Sequence, residues 1–358
     1  MCANKKNKVL YNKVDAKILK QQVLESNEER TTISFYRYFN EPNTKEFRDQ
    51  LFLDFSELGV LGRIYVAQEG INAQISLPTS NLEKFKTYIE SIENLKNLRL
   101  NIAVEDDGKS FFKLIIKIRN KIVADGIDDE SFDPSNMGKH LSAKEFNELT
   151  DQKETILVDM RNHYESEVGH FKGAILPDCD TFRDELPMVT DMLEEQKDKN
   201  IVMYCTGGIR CEKASAYLKH KGFENVYQLE GGIIKYSHDV NKEGLENKFI
   251  GKNFVFDDRL GERITDDIIA ECHQCGKPCD SHINCANDAC HLLFIQCEEC
   301  AEKYNKCCSN ECKDFLELPK EEQVNFRKGK DLGRQVFKKS RLRPRLGDEQ
   351  EIGKSLKN

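Results

Sequence analysis

Residues 203–216 read MYCTGGIRCEKASA. The run before them, KNIVMY, is β-branched and aromatic and predicts a buried strand; CEKASAYLKHKG after it predicts a helix ending at a glycine cap, Gly222. Cys205 therefore stands where a strand ends, and Gly207 and Gly208 let the chain curl at little steric cost. A loop that closes into a helix N-terminus turns several backbone N–H groups toward one point. Arg210 adds a fixed positive charge five residues on. Those groups together should lower the thiol pKa and favour the thiolate, the nucleophilic form. Inert buried cysteine is the competing reading, but it needs neither a double glycine nor an arginine at this spacing.

Arg210 has two readings: it stabilises an anion at Cys205, or it ties the loop to an acidic neighbour. Cys211 also has two, a thiol that resolves an oxidised Cys205 or a small residue facing the core. Only Thr206, Gly207, Gly208 and Ile209 separate Cys205 from Arg210. That ring is tighter than a phosphatase loop with five intervening residues, so it suits a sulfur-sized group and predicts no phosphatase activity.

Elsewhere the pattern shifts from strand to helix with the same regularity. TTISFYRYF (31–39), RIYVAQEGINAQISL (63–77), LRLNIAV (98–104) and FFKLIIKIRNKIVADG (111–126) read as strands. Helices are expected from Pro42 to Leu58, and from an N-cap at Ser80 to about Ile92. The order β-α-β-β-α-β with one further strand predicts a ferredoxin-like α+β domain over 31–127, its sheet antiparallel and its two helices on one face. Lys117, Arg119 and Lys121 alternate along the last strand, more as a solvated face than as a phosphate site. A linker, DDESFDPSNMGKH, leads to a helix capped by Ser142 with Glu145 at the capping-box position. Strand and helix patterns then alternate over 140–240, which predicts an α/β domain with a mainly parallel sheet and places Cys205 at a strand's carboxyl end.

The chain has 358 residues and a net charge of −8, distributed unevenly. Residues 1–24 carry +5 and residues 327–345 carry +8. A basic N-terminal extension (1–30) and a basic tail (316–358) thus flank an acidic body, as expected of a scaffold with arms that grip a polyanion. No apolar run approaches ~18 residues, so no membrane span is expected. The lysine-rich start lacks the apolar core of a secretory signal, which points to the cytoplasm.

Ten of the 14 cysteines lie between Cys272 and Cys312, a local cluster rather than a disulfide framework. They include the pairs Cys272/Cys275, Cys285/Cys290, Cys297/Cys300 and Cys308/Cys312. Thiolates a few residues apart on a tight turn can reach one tetrahedral ion, so four pairs predict two structural zinc ions within 254–315. Joining the first pair with the third, and the second with the fourth, leaves Cys279 and Cys307 over. Sites filled by four thiolates keep no open position for substrate, which favours a structural role.

ILVDMRNHYESEVGHFKGAILP (156–177) contains Asp159, Arg161, Glu165 and the turn of Gly169, His170, Gly173 and Ala174. With CTGGIR and VYQLEGGIIKY (226–236), it resembles a rhodanese domain. His163 and His170 look like acid–base groups, but in such domains that turn is structural. The three-part layout, ending in FVFDDRLGERI (254–264) and the cysteine cluster, resembles the bacterial tRNA uridine(34) 5-hydroxylases over roughly residues 30–345. That resemblance implies O2-dependent hydroxylation of the wobble uridine, the tRNA anticodon region as partner, and Cys205 as the essential thiolate or persulfide. It names no electron donor. Two other functions fit a rhodanese loop: a persulfide-carrying sulfurtransferase, which has no use for the flanking domains, and a binding scaffold, which has no use for an intact Cys205. The basic run beyond the cluster, with Phe326 and Phe337, is the expected grip on the RNA backbone.

Overall fold

The computed structural model describes Leu10, Asn12, residues 14–329 and residues 335–337. After helix α1 (Ala16–Glu25), the first sheet unit comprises β1 (Arg30–Tyr38), α2 (Thr44–Glu57), β2 (Leu61–Ala67), β3 (Gly70–Pro78), α3 (Leu82–Ser91), β4 (Asn101–Ile102) and β5 (Leu114–Ile118). The strand order is β4-β1-β3-β2-β5. The first four strands make the expected antiparallel ferredoxin-like arrangement, but β5 pairs with β2 in parallel, from Gly62 opposite Leu114 to Val66 opposite Ile118. Ser80 does not cap α3: a 3-10 turn, Thr79–Asn81, comes first and Asn81 takes the cap position. The expected strands at 98–104 and 111–126 shrink to two and five residues.

Period-two alternation gives this sheet two different faces. Ile33 and Phe35 of β1 pack with Phe55 of α2 and Phe85 of α3 in an apolar core. The intervening Thr32, Ser34, Tyr36 and Tyr38 point the other way, toward the middle of the molecule. Tyr36 donates a hydrogen bond to Glu212 Oε1 at 2.9 Å, and Tyr38 to the Ile209 carbonyl at 3.4 Å.

The middle unit contains β6 (Lys139–Leu141), α4 (Ala143–Thr150), β7 (Thr155–Asp159), α5 (His163–Ser166), β8 (Gly169–Phe171), α6 (Phe182–Met192), β9 (Asn200–Tyr204), α7 (Ile209–His220), β10 (Asn225–Leu229) and α8 (Gly232–Glu243). Its all-parallel sheet runs β6-β10-β9-β7. Ser142 and Glu145 form the reciprocal capping box expected at the start of α4. Beyond α8 come β11 (Phe249–Asn253) and β12 (Glu262–Arg263), which join β8 in a small antiparallel sheet. Arg161, wholly buried, binds both Asp159 oxygens at 2.8 and 2.6 Å and the Gly169 carbonyl at 2.6 Å. This ion pair fastens β7 to that sheet, a structural role.

The cysteine-rich segment holds the hairpin β13 (His282–Asn284) and β14 (Leu293–Ile295), then α9 (Glu298–Lys303), α10 (Asn310–Glu317) and α11 (Lys320–Arg327). Buried His273 joins it to the middle unit, its Nε2 lying 2.9 Å from Glu167 Oε1. No helix among the described residues is long and apolar enough to cross a membrane.

Candidate active site

The loop from Cys205 to Arg210 links the carboxyl end of β9, the middle strand between β7 and β10, to the N-terminus of α7. Cys205 Sγ accepts the Gly208 N–H at 3.1 Å, and the backbone N–H groups of Arg210 and Cys211 and the Cys211 side chain add favourably to its electrostatic surroundings. Burial on its own would push this thiol up. The Cys211 thiol, the Arg210 charge and the convergent N–H groups outweigh it and hold the pKa at about 6. The thiolate is then the main form of Cys205 at pH 7, whereas a free cysteine at ~8.5 is mostly protonated.

Two glycines make this geometry possible. Gly208 has φ +102°, and a Cβ there would lie 2.7 Å from the Tyr36 hydroxyl. A Cβ on Gly232 would lie 2.4 Å from the Cys205 carbonyl oxygen. That contact is close because the first N–H groups of α8 bind the loop, Ile233 N–H to Cys205 O at 3.0 Å and Ile234 N–H to Thr206 O at 3.2 Å.

Arg210 takes the structural role and keeps an electrostatic one. Its guanidinium grips buried Glu165 with two bonds of 2.6 and 2.9 Å, yet its charge still acts on Cys205. Cys211 takes the core-facing place: it is fully buried, in one apolar cluster with Val158, Ile201 and Met203. Burial and the neighbouring Cys205 anion raise its pKa, so it remains a thiol. His163 faces Asp180 at 3.0 Å and His170 bonds to the Ser166 carbonyl; neither lines the space in front of Cys205.

That space is a cleft of about 720 Å³ between the loop and the polar face of the first sheet. Ser34, Tyr36, Arg63 and Gln74 contribute from the sheet, Asn101 and Phe256 from its rims, and Asn162, Phe182 and Arg183 from the middle unit. Ser34 Oγ and Asn162 Oδ1 are buried without hydrogen-bond partners. Arg63 and Arg183 are exposed and make no ion pair among the described residues. The cleft thus offers anionic sulfur, stacking surface, unmet polar atoms and two free cations in one place. Its sheet-side wall was not legible in the sequence, because it needs the docking of two units that sequence spacing cannot show. Lys213, bridging Glu69 at 2.6 Å and Asp125 at 3.4 Å, and Glu212, receiving bonds from Tyr36, His140 and Gln228, hold that docking.

Three family models match the chain: "UPF0176 acylphosphatase like domain" at 30–122, "Rhodanese-like domain" at 142–239 and "Rhodanase C-terminal" at 250–313. A tRNA uridine(34) hydroxylase of Photorhabdus laumondii is 59% identical over 336 residues, covering 94% of this chain and 96% of that protein. One from Yersinia pestis is 58% identical over 334 residues, covering 93% and 94%. The chain belongs to the tRNA uridine(34) hydroxylase family.

In this family member the eight paired cysteines fall into two groups, Cys272, Cys275, Cys297 and Cys300, and Cys285, Cys290, Cys308 and Cys312. Within each, all sulfurs lie within 4.8 Å of one another. Cys275–Cys297, Cys290–Cys308 and Cys308–Cys312 separations of 3.6, 3.7 and 3.7 Å suit thiolates sharing an ion, since a tetrahedron with metal–sulfur bonds of ~2.3 Å has edges of about 3.8 Å. Each group could hold a metal ion. Cys279 and Cys307 stand outside both groups, in the apolar cores around them.

Phe337, expected in the grip on the RNA backbone, is turned inward instead. It is buried, with its ring 4.1 Å from that of His273 and its N–H bonded to the Leu293 carbonyl. Phe326 is exposed on α11. The rest of the basic run, residues 330–334 and 338–358, and most of the basic extension at 1–13 lie outside the described residues.

Proposed function

We propose that this protein hydroxylates C5 of uridine 34 in tRNA, taking the oxygen atom from O2, with Cys205 as the reactive anionic sulfur. The observation that carries the reading is the pairing of a thiolate-stabilising loop with a cleft large enough for one nucleotide. An enzyme that modifies a base ring must take the base out of its stack, and an anticodon-loop base is extruded at low cost because it is unpaired. Tyr36, Phe182 and Phe256 offer stacking surface to a flipped base. A uracil edge presents one donor, N3–H, between two carbonyl acceptors; Asn162 Oδ1 suits the donor, and the Ser34 hydroxyl suits a carbonyl. Arg63 and Arg183 are placed to meet the flanking phosphates. The names of relatives at 58–59% identity over nearly the whole chain support the same substrate.

Within this proposal, 31–127 supplies the cleft's outer wall, 140–240 the Cys205 loop, and 254–315 a staple held by two structural zinc ions on the two cysteine groups. The basic segments 1–30 and 316–358 engage tRNA outside the cleft, and the protein works in the cytoplasm. The test is mass spectrometry of tRNA nucleosides from cells lacking the gene, complemented with wild type or Cys205→Ala. Loss of 5-hydroxyuridine-derived nucleosides, restored by wild type alone, is the expected result. Unchanged nucleosides, with thiosulfate:cyanide transfer by the purified protein, would overturn the reading in favour of a sulfurtransferase.

A further inference from the structure

Register lines up residues across the first sheet. Tyr36 of β1 stands opposite Asn72 of β3, Asn72 opposite Tyr65 of β2, and Tyr65 opposite Lys117 of β5. A second row on the same face runs Ser34, Gln74, Arg63 and Ile115. Phe35, Ala73, Ile64 and Ile116, which alternate with them, all belong to the helix-covered core. The middle unit covers the β1 end of the polar face, where Tyr36 and Tyr38 bond to α7. At β2 and β5 the face is open: Arg63, Lys117 and Arg119 are exposed. None of the three makes an ion pair or a side-chain hydrogen bond among the described residues. Lys121 shows the contrast, tied to Asp125 Oδ1 at 2.6 Å. The Arg119 guanidinium lies over the Tyr65 ring, 5.5 Å from its centroid. Tyr65 and Arg63 also line the cleft in front of Cys205, so this patch continues from it.

We infer that Tyr65 and Arg119 hold the base of a nucleotide next to the flipped uridine, with Arg63 and Lys117 on the adjoining phosphates. The inference rests on the hydroxylase reading above and extends its contact with tRNA across the sheet. Three observations select single-stranded RNA as the occupant. The first is charge: three cations without partners stand together on a chain whose net charge is −8. The second is the pairing of a tyrosine ring with a guanidinium, two flat surfaces on which any base stacks. The third is continuity with the cleft that receives the uridine.

Spacing makes this a second base rather than the first. Tyr36 and Tyr65 share one row but are two strands apart, about 9.5 Å, too far for one pyrimidine ring to lie on both. Lys117 is one strand further out, within reach of the backbone that leads away from the cleft. These four residues touch no reacting atom. They position the anticodon loop: a neighbour held splayed on Tyr65 and Arg119 keeps the uridine from restacking and directs it toward Cys205.

The test is equilibrium binding of the full-length protein to a labelled anticodon stem-loop RNA with unmodified uridine 34, titrated over a range of salt concentrations. Lys117→Ala and Arg119→Ala, both at exposed positions, should weaken binding and each lower the slope of log affinity against log salt by about 0.7. Tyr65→Ala should weaken binding about tenfold, and Tyr65→Phe, which keeps the ring, should not. Lys86→Ala, on α3 at the helix-covered side of the sheet, should change neither quantity. Stem-loops made abasic on the 5′ or the 3′ side of uridine 34 identify the neighbour. One of them should bind wild type about tenfold more weakly, with little further loss on Tyr65→Ala. Affinity and salt slope unchanged in Lys117→Ala and Arg119→Ala, or losses from Tyr65→Ala that simply multiply with those of both abasic RNAs, would overturn the inference. A wild-type protein that binds no stem-loop would instead bring down the hydroxylase reading, and this inference with it.

Discussion

Glu185→Gln should flatten the dependence of stability on pH. Glu185, on α6, is fully buried and neither of its oxygens has a hydrogen-bond partner. Burial raises its pKa well above the ordinary carboxyl range; Arg210 opposes the shift, while Asp159, Glu165 and Cys205 add to it. The native protein therefore keeps this proton at pH values where the unfolded chain, titrating near ~4.3, has lost it. Over that window the native state binds one more proton than the unfolded state, so stability falls with rising pH by up to about 1.4 kcal/mol per pH unit. Glutamine does not titrate, so the variant lacks this slope whatever fixed cost its amide carries. Urea denaturation at pH 6, 7 and 8 measures it, followed by tyrosine fluorescence because the chain has no tryptophan. Parallel pH profiles for wild type and variant would refute the reasoning and mean that Glu185 is ionised in the fold. The outcome matters for the site: a neutral Glu185 leaves the Arg210 charge shared between Glu165 and the Cys205 thiolate, whereas an ionised one would set a further negative charge against that thiolate.

Three further outcomes follow from the same contacts. Arg210→Gln should move the Cys205 titration up toward the ordinary thiol range and, by stranding buried Glu165, cost about 3–5 kcal/mol in denaturant melts. Gly208→Ala places a Cβ 2.7 Å from the Tyr36 hydroxyl at φ +102°, so a strain of roughly 1–3 kcal/mol and a fall in wobble-uridine modification in complemented cells are expected. Metal analysis should find two zinc ions per chain, and Cys300→Ser should lower that count while leaving the Cys205 titration unchanged.

The reactive loop was legible in the sequence because its requirements are local. A strand, two glycines and a helix start fix where Cys205 lies, and the Gly231–Gly232 pair answers the close approach of α8. The grouping of the cysteines was legible for the same reason, since each pair sits on one tight turn. What sequence spacing left open depends on contacts between distant segments. The partner of Arg210 is Glu165, 45 residues away, and the wall opposite Cys205 comes from Ser34, Arg63 and Gln74. The burial of Glu185 also arises from packing, as α6 turns Leu186 and Val189 inward and carries the carboxyl with them. β5 reads as an ordinary strand, and its parallel pairing with β2 is a matter of chain path, which alternation does not encode.

Everything proposed for the site depends on the sulfur of Cys205 being charged in the resting protein. The direct measurement is the rate of its alkylation by iodoacetamide from pH 4.5 to 9.5, read at the Cys205 peptide by mass spectrometry. The account predicts a midpoint at about 6. A midpoint at ~8.5 or above, the range of an unperturbed thiol, would contradict it.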